Sequence, residues 1–362
     1  MSWADVLVYA AAGAAGVFVV SAAVRLLWRI RSEVRLRKAG RPRLLASRHR
    51  LWRDPRRKGV DMRWGPGGRE GAPVPPFAFV EEHLSGSQPC VAVRDAKGRL
   101  WRVKWGHEAR PEAFAARLAH ACGYFAEVTH FVASGAIEGA AGLTRAGDCI
   151  GAGGRFAEAR FEREDRSVRM NFEEHSWAWN DNPFLGTPQL SGLKILVMLL
   201  SNWDTKDRRD VARGSNTAIF EHRVAGLRRE ARYLITDWGG AMGKWGASIV
   251  SRGRWDPEGF EAQTPGFVTG VEDGLVRFGY AGQRTADVAE GIPVEHVRWF
   301  HALIDRLTEA HLREGLLASG ATDDEAARFA RAIRDRIDQL GDTKPTQPTK
   351  LTNAGDLARS LS

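Results

Sequence analysis

The sequence predicts an α+β chain in which a small β-rich lobe precedes a larger helical one, behind a single transmembrane helix. Three observations carry this expectation. Residues 77–105 hold three short runs rich in β-branched and aromatic residues, residues 294–340 repeat apolar positions at three- and four-residue spacing, and residues 6–24 contain no charge.

The uncharged run VLVYAAAGAAGVFVVSAAV comes first. At 1.5 Å per residue it nearly spans the roughly 30 Å of a bilayer core. Only Asp5 precedes it, whereas Arg25, Arg29 and Arg31 follow it. Positive charge marks the inner side, so residues 1–28 are read as the anchor of a single-pass inner-membrane protein whose folded part is cytoplasmic. A secretory signal would carry its basic residues before the run. Signal cleavage near Ser21, Ala22 and Ala23, leaving a periplasmic domain, is the alternative.

Charge is distributed unevenly. Residues 25–69 hold sixteen Lys and Arg against Glu33, Asp54 and Asp61, an excess of +13 in a chain whose net charge is +9, so the remainder sums to −4. A slightly acidic folded part lacks the basic face that releases counterions from phosphate backbones, and nucleic acid is excluded as a partner. The Arg/Gly/Pro-rich residues 29–75 read as a basic linker lying along anionic headgroups, so the expected partners are a membrane and a nucleotide. Residues 343–362 are polar and Pro-punctuated, a disordered tail. The three cysteines, Cys90, Cys122 and Cys149, are odd in number and widely spaced, which excludes a disulfide framework and a zinc site.

Between these ends, FAFVEE (77–82), CVAVRD (90–95) and RLWRVKW (99–105) form a three-stranded meander joined by HLSGSQP and AKG. PEAFAARLAHACG (111–123) opens on proline and an acid and closes on glycine, the marks of a helix. A strand at 155–162 follows. Residues 191–201 are apolar enough to be a helix buried on most sides, and 294–320 and 323–340 are amphipathic helices.

The chemistry-bearing residues fall at the ends of these elements. Lys104 ends a strand and Glu112 opens the next helix, an order that lets a lysine reach nucleotide phosphates while a glutamate fixes its ammonium group. NWDTKDRRD (202–210) follows the buried helix directly, and ITDWGG ends a strand on Asp237. Each aspartate alone suits a turn or a helix cap. GGAMGKWG (239–246) is no Walker A loop, because three residues rather than four separate Gly239 and Gly243, and Trp245 stands where Ser or Thr would bind magnesium. Neither H-E-x-x-H nor G-x-S-x-G occurs. The tryptophans of WAWNDNPF (177–184) read as packing rather than as a platform for bases.

Taken together, these residues carry a resemblance. Glu112, Leu118-Ala119 and Gly123 are spaced as in the corresponding helix of HipA-type bacterial serine kinases, and Asp204-x-Lys206 is similar to the D-x-K core of a protein-kinase catalytic loop. The strings VKWGHEARPE, NPFLGT, NWDTKD and ITDWGGAMG look like an uncharacterised bacterial family of the atypical branch of the protein-kinase-like superfamily. That branch also holds type II phosphatidylinositol kinases and secretory-pathway kinases. The resemblance implies a bilobal kinase-like fold, with an N-lobe at 76–165 and a C-lobe at 166–342, and ATP and Mg²⁺ as cofactors. It implies that Asp204 takes the acceptor proton, that Lys206 neutralises the transferred phosphoryl group, that Asp237 binds Mg²⁺, and that Lys104, Glu112, Gly86 and Ser87 hold the nucleotide.

Two departures qualify it. Arg209 stands five residues after Asp204, where a metal-binding Asn is expected. Asn216, beyond an apparent VARGS insertion, is favoured for that role over Asp210. HLSGSQP is also a poor glycine loop. The expected function is therefore a membrane-anchored ATP/Mg-dependent phosphotransferase of unknown acceptor. The alternatives are a pseudokinase serving as a nucleotide-binding or scaffolding module, and an enzyme transferring AMP.

Overall fold

The computed structural model describes residues 48–56, 59–86, 88–165, 176–225 and 228–343. The chain divides into two compact units. One comprises Trp52–Glu164, Phe184–Asp204 and Trp238–Ser362, and the other Met1–Leu51, Asp165–Pro183 and Thr205–Asp237. Strand β1 (Arg48–Arg50) belongs to the smaller unit, and the short helix α1 (Gly68–Gly71) to the larger.

The larger unit contains a closed barrel of β2 (Phe77–His83), β3 (Cys90–Arg94), β4 (Leu100–Lys104), β6 (Arg155–Glu164) and β5 (Thr129–Glu138), in that order. Neighbours run antiparallel except at the closure, where β2 pairs parallel with β5 at Phe77↔Ile137. Alternation along β4 sends Trp101 and Val103 into the barrel, where they meet Phe77, Val91, Val93 and Phe161. Arg102 and Lys104 take the outer face.

Helix α2 (Ala109–Ala121) packs against β5 and β6, and its alanines allow a close approach. It ends as the closing glycine requires. Gly123 has φ +89°, and a Cβ there would lie 2.1 Å from the Arg53 carbonyl oxygen. The Tyr124 N–H then reaches back to the Ala119 carbonyl at 2.9 Å.

The rest of the larger unit is mainly helical: α3 (Pro188–Leu199), α4 (Pro257–Gln263), α5 (Thr285–Ala289), α6 (Val294–Ile304), α7 (Glu309–Leu317) and α8 (Asp323–Gly341). Thr187 caps α3, accepting the Leu190 N–H at 3.3 Å. In the smaller unit, β7 (Thr217–Ala225) and β8 (Arg228–Ile235) form an antiparallel hairpin, and β1 adds to β8 in parallel.

The expected fold class is corrected. The described residues form an α+β structure around a closed five-stranded barrel, not a bilobal kinase-like fold behind a transmembrane helix. The meander of 77–105 is only part of a sheet that curls until its first strand meets β5. Barrel and helices α3 to α8 fall within one compact unit instead of dividing near residue 165.

The single-pass membrane localisation is corrected as well. Among the described residues no helix is long and apolar enough to cross a membrane. The apolar α3 has 12 residues, about 18 Å of rise against a core of roughly 30 Å. Helix α8 has 19 residues but carries an acid or an arginine in every turn. Residues 6–24, on which the anchor was read, lie outside the described residues, as does the tail from 344.

Residues that composition assigns to a linker are part of the fold. Leu51 and Met62 are buried, and Met62 packs on Gly315 of α7. Some of the basic excess is held in ion pairs, Arg50 with Glu230 at 2.9 Å and Arg56 with Asp54 at 2.8 Å.

A buried histidine gives the larger unit a pH dependence. His130 on β5 lies edge-on to Trp101, and burial, reinforced by the charges of Arg117 and Arg99, holds its pKa down to about 3. In the unfolded chain it titrates near 6.5, so between those values the unfolded state binds the extra proton and acid favours unfolding. Stability should fall by about 1.4 kcal/mol per pH unit from this group as pH drops from 6.5 toward 3. Urea midpoints at pH 7, 5.5 and 4.5 should show the decline in the wild type and a shallower one in His130→Phe. Equal slopes would remove His130 as the cause.

Candidate active site

The predicted site residues divide between the two units, Lys104, Glu112 and Asp204 in the larger and Lys206, Asn216 and Asp237 in the smaller. Each group is built by its own local structure.

Strand register sets Cys90, Lys104, Arg160 and Phe131 in one row across the outer face of the barrel. Glu112, in the first turn of α2, accepts from Arg160 at 2.8 Å, and Lys104 lies 3.5 Å from Glu162. Arg160 also reaches Glu162, at 3.3 Å, and Arg102 bonds the same carboxylate. The expected lysine–glutamate relation is thus carried by a wider network, in which Glu112 acts on Lys104 through its charge while its Oε1 holds Arg160. Burial and then repulsion from Arg160 and Arg102 lower the pKa of Lys104 from the ordinary lysine value, and Glu112 opposes this.

Arg160 and Glu162 were not foreseen. A signal existed, since RFAEARFE alternates charge with Phe and Ala, and a strand whose charged side faces an alanine-rich helix buries its charges in pairs. Of the two residues expected to touch phosphate through the β2–β3 loop, Gly86 is exposed with φ +98°, and Ser87 lies outside the described residues.

Asp204 is fixed by a loop pinned at successive residues. Ser201 turns the chain out of α3 with φ +54°. Arg336 donates to the Leu199 carbonyl and to Ser201 Oγ, both at 2.8 Å, and the Tyr280 hydroxyl donates to the Asn202 carbonyl at 2.6 Å. Trp203 Nε1 donates to the Gly253 carbonyl at 2.8 Å, and Gln283 Nε2 to Asp204 Oδ1 at 2.7 Å. Gly240 explains part of the GG pair after Asp237: a Cβ there would lie 2.9 Å from Asn202 Oδ1 and 3.1 Å from the Asp204 backbone nitrogen. Gln283 is a further residue that spacing could not reveal, being 79 positions from its partner.

In the smaller unit, Asp207 is fully buried and serves structure. Its carboxylate accepts the Trp179 N–H at 3.2 Å, the Arg209 N–H at 2.9 Å and the Arg209 guanidinium at 2.5 Å. Arg209, the residue at the expected metal position, is thereby turned onto Asp207. Trp179 Nε1 donates to the Thr205 carbonyl at 3.2 Å, so the tryptophans of WAWNDNPF brace this loop. The first three residues of the VARGS stretch lie in a 3-10 turn, Arg208–Arg213, capped reciprocally by Asp207 and Asp210. Asp210 is buried and also bonds Arg213, and both contacts are structural.

Asn216 stands between the other two residues of its group. Its N–H donates to the Lys206 carbonyl at 3.1 Å, and its carbonyl accepts the Thr236 N–H at 2.9 Å. Thr217 pairs with Ile235 in the hairpin, so Asn216 and Asp237 leave from the same open end of β7 and β8. No family model, no curated protein and no solved structure matches the chain.

Among the described residues no group of three or more His, Cys, Asp or Glu could hold a metal ion. Asp237 and Asn216 nevertheless offer hard oxygen donors of the kind magnesium takes. Two side chains suffice only when nucleotide phosphates complete the coordination shell, so this pair fits a metal that arrives with its nucleotide.

Proposed function

We propose that the chain is an ATP- and Mg²⁺-dependent phosphotransferase. The observation that carries this reading is the backbone link from Lys206 through Asn216 to Thr236, which gathers a lysine, an amide oxygen and a carboxylate from a loop and a hairpin end. ATP with its metal, when bound, supplies the transferable phosphoryl group and the cation. Asp237 and Asn216 are the side chains that would hold that ion, and Lys206 offers a cation for the charge on the transferred group. Asp204, oriented by Gln283, receives the proton released by the acceptor hydroxyl. Lys104 would take nucleotide phosphate, supported by the loss of solvation that lowers its pKa, because an anion beside it restores the stability of the ammonium form.

The test is incubation of the full chain with Mg²⁺ and ATP labelled separately at the α and γ positions. Transfer or release of the γ label alone is expected. Covalent transfer of the α label would replace the reading with AMP transfer, and binding without loss of either label would reduce the chain to a nucleotide-binding module.

A further inference from the structure

A cleft of about 410 Å³ opens beside the end of β4, next to the residue that follows Lys104 in the chain, and none of the roles above uses it. Trp105, Phe131 and Trp255 give it aromatic walls, and Arg110, Glu158 and Arg254 give it charge. Its volume falls in the range of about 300–1,000 Å³ occupied by small-molecule sites.

The charged groups are paired in a way that leaves room for a competitor. Arg110 holds Glu158 at 2.6 Å and lies 3.7 Å from Glu325, and the Glu158 side chain is 59% exposed. Such a pair contributes little, and Glu158 can return to water when another anion meets Arg110. Arg254 holds Glu108 at 2.7 Å while its guanidinium lies 5.3 Å from the centre of the Trp203 ring. Trp105 is 7% exposed, and its indole N–H is buried with no acceptor among the described residues, a donor whose desolvation is uncompensated. Glu158 and Trp255 both hold left-handed backbone, at φ +48° and +46°, a costly conformation for residues other than glycine that collects at functional sites.

We propose that this cleft binds a small aromatic anion, a planar ring bearing a carboxylate or phosphate group. The ring lies among the three aromatic side chains, and the anion takes the Arg110 and Arg254 guanidiniums as Glu158 moves aside. Planar guanidinium groups favour oxyanions in paired hydrogen bonds, and aromatic walls favour flat rings. A wholly apolar ligand would leave both arginines unanswered, and an inorganic anion would leave the aromatic walls uncovered.

The probe is phenyl phosphate, titrated by calorimetry into the full chain without nucleotide or magnesium, so the outcome does not depend on phosphotransfer. Saturable binding at one site is expected. Arg110→Gln and Arg254→Gln should each weaken it by about tenfold or more. Glu158→Gln should tighten it, because Arg110 loses the nearer of its two internal carboxylate partners while Glu325 stays at 3.7 Å, and inorganic phosphate should bind about tenfold more weakly than phenyl phosphate. Circular dichroism checks that each variant is folded. If an arginine variant fails to fold, the exposed Glu158→Gln decides, and unchanged or weakened binding there overturns the proposal. So does the absence of saturable binding, an unchanged affinity in both arginine variants, or inorganic phosphate binding as tightly as phenyl phosphate.

Discussion

If the proposed function holds, Asp237→Ala should remove magnesium-dependent ATP binding, whereas Asp204→Ala should preserve that binding and lower phosphotransfer by about 100- to 10,000-fold. The two outcomes should differ because the proposed function gives the carboxylates different tasks. Without Asp237, one amide oxygen from Asn216 remains for the ion, and magnesium tolerates incomplete coordination poorly. Asp204 acts on the acceptor hydroxyl, so its loss leaves the nucleotide in place. Asn216→Ala should weaken the metal dependence without abolishing it. Asp210→Ala should leave that dependence unchanged and cost about 1 kcal/mol of stability, because it removes one half of a reciprocal cap. Titration calorimetry with Mg·ATP decides. Equal affinity in wild type and Asp237→Ala would end the phosphotransferase reading, and a larger loss in Asp210→Ala than in Asn216→Ala would reverse their roles.

Arg336→Met should destabilise the larger unit by about 3–5 kcal/mol. Arg336 has no solvent exposure, and every hydrogen bond of its guanidinium goes to a neutral oxygen: the carbonyls of Leu199 and Phe260, Ser201 Oγ and Thr264 Oγ1. It also lies 3.6 Å above the centre of the Phe260 ring. Burial drives its pKa well down, so removing the charge recovers some desolvation. That gain is smaller than the loss, because methionine fills the space but takes a donor from four buried acceptors, of which the Phe260 carbonyl keeps the Thr264 hydroxyl at 2.9 Å. A urea midpoint should fall clearly below that of the wild type. An unchanged midpoint would mean that the acceptors find other donors.

Much of the larger unit was legible because its elements follow simple periods. The strands expected at 77–82, 90–95 and 155–162 appear as Phe77–His83, Cys90–Arg94 and Arg155–Glu164, and the helix at 111–123 as Ala109–Ala121. The helix expected over 294–320 is broken, because Thr308 stops its apolar period and caps a new helix through His311. Strand β5 escaped notice since Gly135 and Ser134 interrupt its pattern, although a Cβ on Gly135 would lie 2.7 Å from the Phe156 ring and would have to displace it. The hairpin of Val268–Glu272 and Leu275–Phe278 was there to be read in Asp273-Gly274, whose positive φ values make the two-residue turn.

Among the candidate site residues, placement next to a local element was legible, with Asp204 following α3 and Asp237 following β8. Partners supplied from far along the chain were not. Gln283, Arg160 and Arg336 are set by tertiary packing, and no spacing rule links them to the residues they hold.

The composition of the smaller unit from three separate chain segments has a consequence for the order in which the protein acquires its structure. Strand β1 pairs in parallel with β8, and His49 Nδ1 meets the Tyr233 hydroxyl at 2.9 Å across 184 residues of chain. During synthesis the first strand of this sheet emerges long before its neighbour exists. The barrel strands β2 to β6 are all made in that interval and find one another at shorter range, so the barrel can close while β1 still waits. The sheet that carries Asn216 and Asp237 at its open end is therefore completed after the barrel strands have been made, while α4 to α8 and the residues that pin the Asp204 loop, Tyr280, Gln283 and Arg336, are made later still.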